Sequence, residues 1–188
     1  MAPSSSESVI CRPARVEDIP ALAELCARWQ RDQVETTQNG FLQLRYGAET
    51  FGNLLAEDSV IVAEEDGLVA GYYLVNPRSS DPAVSLHRNK VEQLLRDGLI
   101  PTGARVALGS QALLDSSLQG RGIRQMLLAY LIEHLTGRYD FLFATIPKDN
   151  TRAFRAHTGD GWQIIDEDER MHYVFWPMPK HSPSAGIL

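Results

Sequence analysis

Gln119-Gly120-Arg121-Gly122-Ile123-Arg124 stands directly ahead of the apolar run Met126-Leu127-Leu128. Glycine costs about 1 kcal/mol relative to alanine inside a helix, so two glycines at a helix entrance imply a task that side chains would obstruct. The amides of a helix's first turn are unpaired, and the helix dipole favours negative charge there. A strand closing near Asp115, a glycine loop and a helix therefore make an anion-binding arrangement. Gly120 and Gly122 would let phosphate oxygens approach the backbone, with countercharge from Arg121 and Arg124. The bland alternative is a tight strand-to-helix turn with solvated arginines. A dinucleotide-binding turn fits poorly, because the third glycine is misplaced and the next strand, FLFATIPK, ends in Pro147-Lys148 rather than an acidic residue. A P-loop would need Gly-Lys-Ser/Thr, which is absent.

Elements that could position such a loop follow from the chain's length and patterning. At 188 residues, 44% hydrophobic and 22% charged, the sequence suits one globular domain with a substantial core. The formal net charge of −6 argues against a nucleic-acid partner held by a broad basic surface. Cys11 and Cys26 are the only cysteines, so neither a disulfide framework nor a thiolate metal site is expected. No apolar run reaches the roughly 18 residues of a membrane span, and MAPSSSESV lacks the regions of a signal peptide. The expectation is a cytoplasmic protein with no membrane partner and no metal. Residues 1–8 and 177–188, rich in Ser and Pro, are expected to be a disordered N-terminal tail and a flexible C-terminal tail around a domain at 9–176.

Within that domain, VICRPA reads as a strand and VEDIPALAELCARWQRD as a helix, followed by a shorter helix in AETFGNLLAED. Asp66-Gly67 between two apolar runs marks a β-hairpin. An unusually long connection, residues 79–104, carries SLHRNKVEQLLRDG, with Leu86, Val91, Leu94 and Leu95 at helical spacing and Gly98 as its stop. Strand, helix and strand follow in RVALGSQALLD, IRQMLLAYLIEHL and FLFATI. DNTRAFRAH is a short helix, and GWQII and MHYVFW are the last strands. The result is a mixed α/β arrangement, antiparallel early and with a crossover helix later.

The stretch QALLDSSLQGRGIRQMLL resembles the acetyl-coenzyme A signature of the GNAT (GCN5-related) N-acetyltransferases, Gln/Arg-x-x-Gly-x-Gly/Ala after a strand. Gln119 and Gly122 match, whereas Arg124 replaces a small residue. Downstream, Asn150, Ala153, Ala156-His157 and Gly161-Trp162 fall at the spacings of a second family element. There the family usually has a tyrosine where this chain has His157. The resemblance covers roughly residues 9–176, with 79–104 longer than the usual connection between the third and fourth strands.

That resemblance implies a GNAT fold: a mixed central sheet with splayed fourth and fifth strands and flanking helices. It implies acetyl-coenzyme A as cosubstrate, with pantetheine along the fourth strand near Ala112, Leu113 and Leu114. Its pyrophosphate would sit on Gln119, Gly120, Arg121, Gly122, Ile123 and Arg124. Asn150 would bond the amide-rich arm, with Phe154 beside it, although an N-cap explains Asn150 equally well and core packing explains Phe154. The implied reaction is direct acetyl transfer to a primary amine of a small molecule, peptide or protein. The alternative is a catalytically weak coenzyme-binding sensor or interaction protein. A homodimer is common among relatives, and the 79–104 helix is expected to pack over the acceptor side or against a second subunit.

Three chemical needs follow. An alkyl amine of pKa roughly 10 must lose a proton, the thioester carbonyl must be polarised, and the thiolate must leave, with or without a general acid. His157 is the candidate acid. Glu35 is the candidate base, with Asp32, Glu49 and a water ordered by Ser110 or Gln111 as alternatives. Tyr46 and either Tyr72 or Tyr73 are candidates for the acceptor wall, since alternation puts the latter two on opposite faces.

Overall fold

A computed structural model describes residues 9–36, 40–77 and 81–180. The expected tail at 1–8, residues 181–188 of the expected tail at 177–188, and part of the loop after the first helix lie outside those residues. Seven strands and five α-helices follow one another: β1 (Ile10–Pro13), α1 (Ile19–Arg28), α2 (Ala48–Ala56), β2 (Val60–Glu65), β3 (Leu68–Asn76), α3 (Ser85–Arg96), β4 (Val106–Leu114), α4 (Ile123–Leu135), β5 (Phe141–Pro147), α5 (Thr151–Asp160), β6 (Gln163–Glu167) and β7 (Met171–Pro177). The strands form one sheet in the order β1-β2-β3-β4-β5-β7-β6. Neighbours are antiparallel except β4 and β5, which run parallel because α4 carries the chain back between them.

Local chemistry sets the boundaries. Asp66 and Gly67 both have positive φ, 52° and 79°, the conformation of a two-residue hairpin turn that matches strand twist. The first helix stops at Arg28, short of the Asp32 that periodicity suggested. There Gln30 turns inward, forms a bridge with Leu42, and donates from Nε2 to the carbonyls of Cys26 and Leu44 at 3.0 and 3.3 Å. At the other end, β7 runs through Pro177, and Met178 is buried with its N–H on the Asp140 carbonyl at 2.9 Å. The domain thus extends past the expected boundary at 176.

Alternation along β3 sends Tyr72 and Tyr73 to opposite faces, both fully buried. Tyr72 packs with Leu22 and Leu25 of α1 and Phe51 and Leu54 of α2. Tyr73 packs with Leu127, Leu128, Leu131 and Leu135 of α4. Each such buried leucine contributes roughly 1.5–3 kcal/mol. A third cluster forms under α3, where Val91, Leu94 and Ile100 cover Leu108 and Phe143. The helix in the long connection therefore lies over the β4–β5 seam.

That seam opens. β4 and β5 pair only at Val106–Phe141 and Ala107–Leu142. On its other edge β4 pairs Gln111 with Leu74 but Leu108 with Asn76, so three steps along β4 span two along β3. This bulge holds Gly109 at φ +61°, where a Cβ would stand 2.8 Å from Val84 Cγ1. Beyond it β4 and β5 diverge, as expected for the fold, and leave unpaired backbone facing a slot.

Candidate functional site

Two cavities lie along the slot. The first runs beside Ala112, Leu113 and Leu114 of β4 toward Gln119 and Arg124. The second is lined by His87, Ser110, Gln111, Thr145 and Asn150 among others. Phe41, Leu42, Ala112, Ala153 and His157 line both, so the two adjoin. Gln111 fixes part of the second cavity's wall: it accepts from Tyr72 Oη at 2.8 Å and donates to the Leu44 carbonyl at 2.9 Å.

At the outer end of the first cavity, Gly122 caps the N-terminus of α4 with φ +76°, and Gly120 has φ +73°. A Cβ built on either meets nothing within 4 Å. The glycines thus face open space, while their positive φ disfavours any side chain. Ile123 opens α4 and is buried. Thirteen residues of helix stand behind these amides, so the arrangement fits an anion such as a pyrophosphate. Arg121 bonds Glu65 at 2.5 Å and stays partly exposed at the loop. Gln119 accepts from Arg152 at 2.5 Å.

Arg124 departs from its expected role as free countercharge. Its guanidinium turns inward, pairs with Asp160, donates to the Ala156 carbonyl at 2.8 Å, and lies 5.6 Å from the Tyr73 ring centroid. The extra side chain at this position ties α4 to the end of α5, with its charge balanced by a carboxylate that is 2% exposed. Asn150 is likewise engaged by protein. Its Oδ1 accepts from the Ala153 amide at 3.2 Å as the N-cap of α5, and its Nδ2 donates to the Phe41 carbonyl at 2.8 Å. It lines the second cavity. Phe154 stacks on His172, with centroids 4.2 Å apart, and lines neither cavity.

His157 lines both cavities. Its Nδ1 is 2.7 Å from the Ala153 carbonyl, which can only accept, so the ring proton is on Nδ1 and Nε2 is bare. Burial, reinforced by the Arg124 charge, pulls its pKa down to about 3 against the opposing pull of the Ala153 carbonyl. The imidazolium that could protonate a leaving thiolate is thereby disfavoured. Nε2 is buried and has no partner.

The expected bases are no better placed. Glu35 and Glu49 are exposed and line neither cavity, and Asp32 pairs with Arg45 at 3.0 Å on the surface. Tyr72 and Tyr73 are interior, and neither lines either cavity. Ser110 does line the second. The residue that sequence reasoning missed is His87, from α3. Its Nε2 lies 3.0 Å from Thr145 Oγ1, its ring packs edge-on against Phe143, and burial lowers its pKa to about 4. Only its place in the long connection marked it, because the contact with Thr145 spans 58 positions of sequence.

No protein-family model and no curated protein matches the sequence. Solved structures do match in fold. A protein of Salmonella typhimurium described as an acetyltransferase, solved with acetyl-CoA, superimposes with a TM-score of 0.57 at 16% identity, over 96% of this chain and 99% of that one. A GNAT-family acetyltransferase from Listeria monocytogenes gives 0.64 at 13% identity, over 92% and 96%. Diaminobutyrate acetyltransferase from Paenibacillus lautus, solved with L-2,4-diaminobutyric acid and coenzyme A, gives 0.60 at 15%, over 93% and 98%. The chain has the fold of the GNAT acetyltransferases.

Proposed function

We propose that this chain binds acetyl-coenzyme A in the first cavity and transfers the acetyl group to a primary amine that enters the second. The observation that carries this reading is the pair of adjoining cavities beside β4, one lined by Ser110 and Gln111 and the other by Ala112, Leu113, Leu114 and Gln119, where the glycine loop opens α4. The unpaired backbone of β4 at Ala112, Leu113 and Leu114 suits an extended amide chain, which can add to a sheet edge as a strand does. Gln119, Gly120, Arg121, Gly122 and Ile123 suit the pyrophosphate at its far end. The Arg124–Asp160 pair holds α5 against the first cavity instead of taking a phosphate.

When bound, the cosubstrate supplies an activated acetyl thioester. The chain's own residues orient it, exclude water and offer amides at the bulge to a developing oxyanion. Phe41 and Leu42, held by Asn150 and Gln30, line both cavities, where water would otherwise compete with the amine. Neutral His157 accepts a hydrogen bond there and gives no proton, so the sulfur leaves as thiolate, which is tolerable for a thiol of pKa about 8.5. A second reading, coenzyme binding without transfer, draws on that same missing acid. Thiol release from acetyl-coenzyme A, measured with a panel of primary amines, separates them. Amine-dependent release supports transfer, and tight binding with no amine-dependent release refutes it.

A further inference from the structure

We propose that His87, brought to the slot by the additional helix α3, is the proton acceptor for the incoming amine, and that its cavity favours amines of low basicity. The proposal rests on the transferase reading above. Hydrogen bonding around the ring fixes its tautomer. Gln43 Oε1 can only accept, so Thr145, 3.1 Å away, donates its hydroxyl proton to it. Thr145 Oγ1 is then an acceptor for the second contact, and His87 Nε2 must be the protonated nitrogen. The lone pair of Nδ1 remains. That atom is buried without a partner in a side chain that is 5% exposed and lines the acceptor-side cavity. An unmet acceptor in such a site carries a desolvation penalty unless a donor arrives.

The helix that carries His87 is firmly held. Lys90 Nζ bonds Asp166 Oδ2 at 2.6 Å and stands 4.3 Å from the Tyr173 ring centroid, while Val91 and Leu94 pack in the cluster with Phe143. The ring is thus positioned by β5, β6 and β7 together, as a group acting on a substrate needs to be.

Among the described residues, no Asp, Glu, Lys or Arg lines this cavity. An ammonium ion would enter without a counterion, so the amine must arrive neutral. At about pH 7 an α-amino group of pKa about 8 is roughly 10% neutral, whereas an alkyl amine of pKa about 10.4 is roughly 0.04% neutral. The cavity accordingly discriminates by basicity. In the transfer the amine lone pair forms the N–C bond, and the carbonyl π pair moves to oxygen. The now acidic nitrogen passes a proton to Nδ1. The oxygen pair then returns as the C–S bond breaks with its electrons on sulfur. The His87 proton leaves to solvent and the thiolate takes one up, giving amide and thiol. Burial keeps His87 neutral before the amine arrives, so the lone pair is present at working pH.

The experiment uses the full chain with acetyl-coenzyme A and two probes, glycinamide and n-butylamine. For the parent, kcat/KM should favour glycinamide by about 10²-fold, following the neutral fractions. His87→Ala should lower kcat by about 10²-fold or more with coenzyme affinity unchanged, and added imidazole should restore much of the loss by filling the vacated space. Thr145→Val, which frees the tautomer, should lower kcat less. His87→Phe, which keeps the packing on Phe143, should match His87→Ala in activity, so a folding defect is told apart from a missing base. Parental kcat in a folded His87→Phe protein, or no imidazole rescue, overturns the role of His87 and leaves the transferase reading standing. A parent that prefers n-butylamine overturns the basicity argument. Coenzyme binding without any amine-dependent thiol release overturns both readings together.

Discussion

Lowering the pH from about 7.5 to about 5 should cost the folded protein about 4 kcal/mol, because two buried imidazoles resist protonation there. His157 is held down to about 3 and His87 to about 4, in both cases chiefly by burial, from an ordinary value of 6.5. Between those values and 6.5 the unfolded chain takes up a proton at each ring and the folded chain does not. The unfolded state then binds more protons, so stability rises with pH through this window, is full above 6.5, and falls on acidification. At about pH 5 each ring contributes RT ln(1 + 10^1.5), about 2 kcal/mol, and both folded values still lie below that pH. Carboxylates held low by partners, such as Asp18 beside Arg12, act mostly below about pH 4 and add little at pH 5. Urea unfolding at the two pH values measures the difference directly, and His157→Gln and His87→Gln should each flatten it by about 2 kcal/mol. A parent that loses less than about 1 kcal/mol, or variants that keep the parental pH dependence, would refute the burial argument for both rings.

Three further outcomes follow from the same geometry. Gly122→Val should leave the protein folded yet remove coenzyme binding by calorimetry, since a branched side chain would occupy the open space at a strained φ of +76°; normal binding by the folded variant refutes the anion cradle. Gly71→Ala should destabilise by about 1–3 kcal/mol, because its Cβ would come within 2.9 Å of the Leu113 carbonyl and 2.6 Å of Leu114 Cδ2; an unchanged melting temperature would show that β3 and β4 separate easily. Asp160→Asn should cost about 3–5 kcal/mol by stranding the half-buried Arg124 charge, and Arg124→Met added to it should recover most of that in chemical denaturation; no recovery would place the loss elsewhere.

Element order was legible because it rests on periodicity and on punctuation by a few residues. Asp66-Gly67 names its own turn, and Gly98, at φ +73°, ends α3 where the pattern stops. Gly120 and Gly122 were legible for the same reason, since a helix start and a φ preference are local properties. What stayed hidden depends on partners distant in sequence. Gly109 sits inside an apolar run, and only its register against Leu74 and Asn76 makes it a bulge. Arg124 looked free because Asp160 lies 36 positions away, and nothing local announces the meeting. His157 was assigned its ordinary pKa because burial is a property of packing, not of neighbours in the chain. Asn150 shows the converse: its N-cap role is local and readable, whereas its bond to Phe41 spans 109 positions.

Among the described residues, β1–β4 join β5–β7 in the sheet through two paired positions, Val106–Phe141 and Ala107–Leu142, beside the Arg105 carbonyl that accepts from Asp140 and Phe141. Mechanically the domain is a pair of tongs, pivoted at those positions and held from the sides by α3 and α4. An extended molecule lying in the gap bonds one jaw along its length and rests against the other, so it acts as an eighth strand that happens not to be peptide. Occupancy of the slot would then be felt as stiffness far from any reacting atom. Amides of β5 beside the gap should exchange more slowly when it is filled, a change in mechanics without a change in shape.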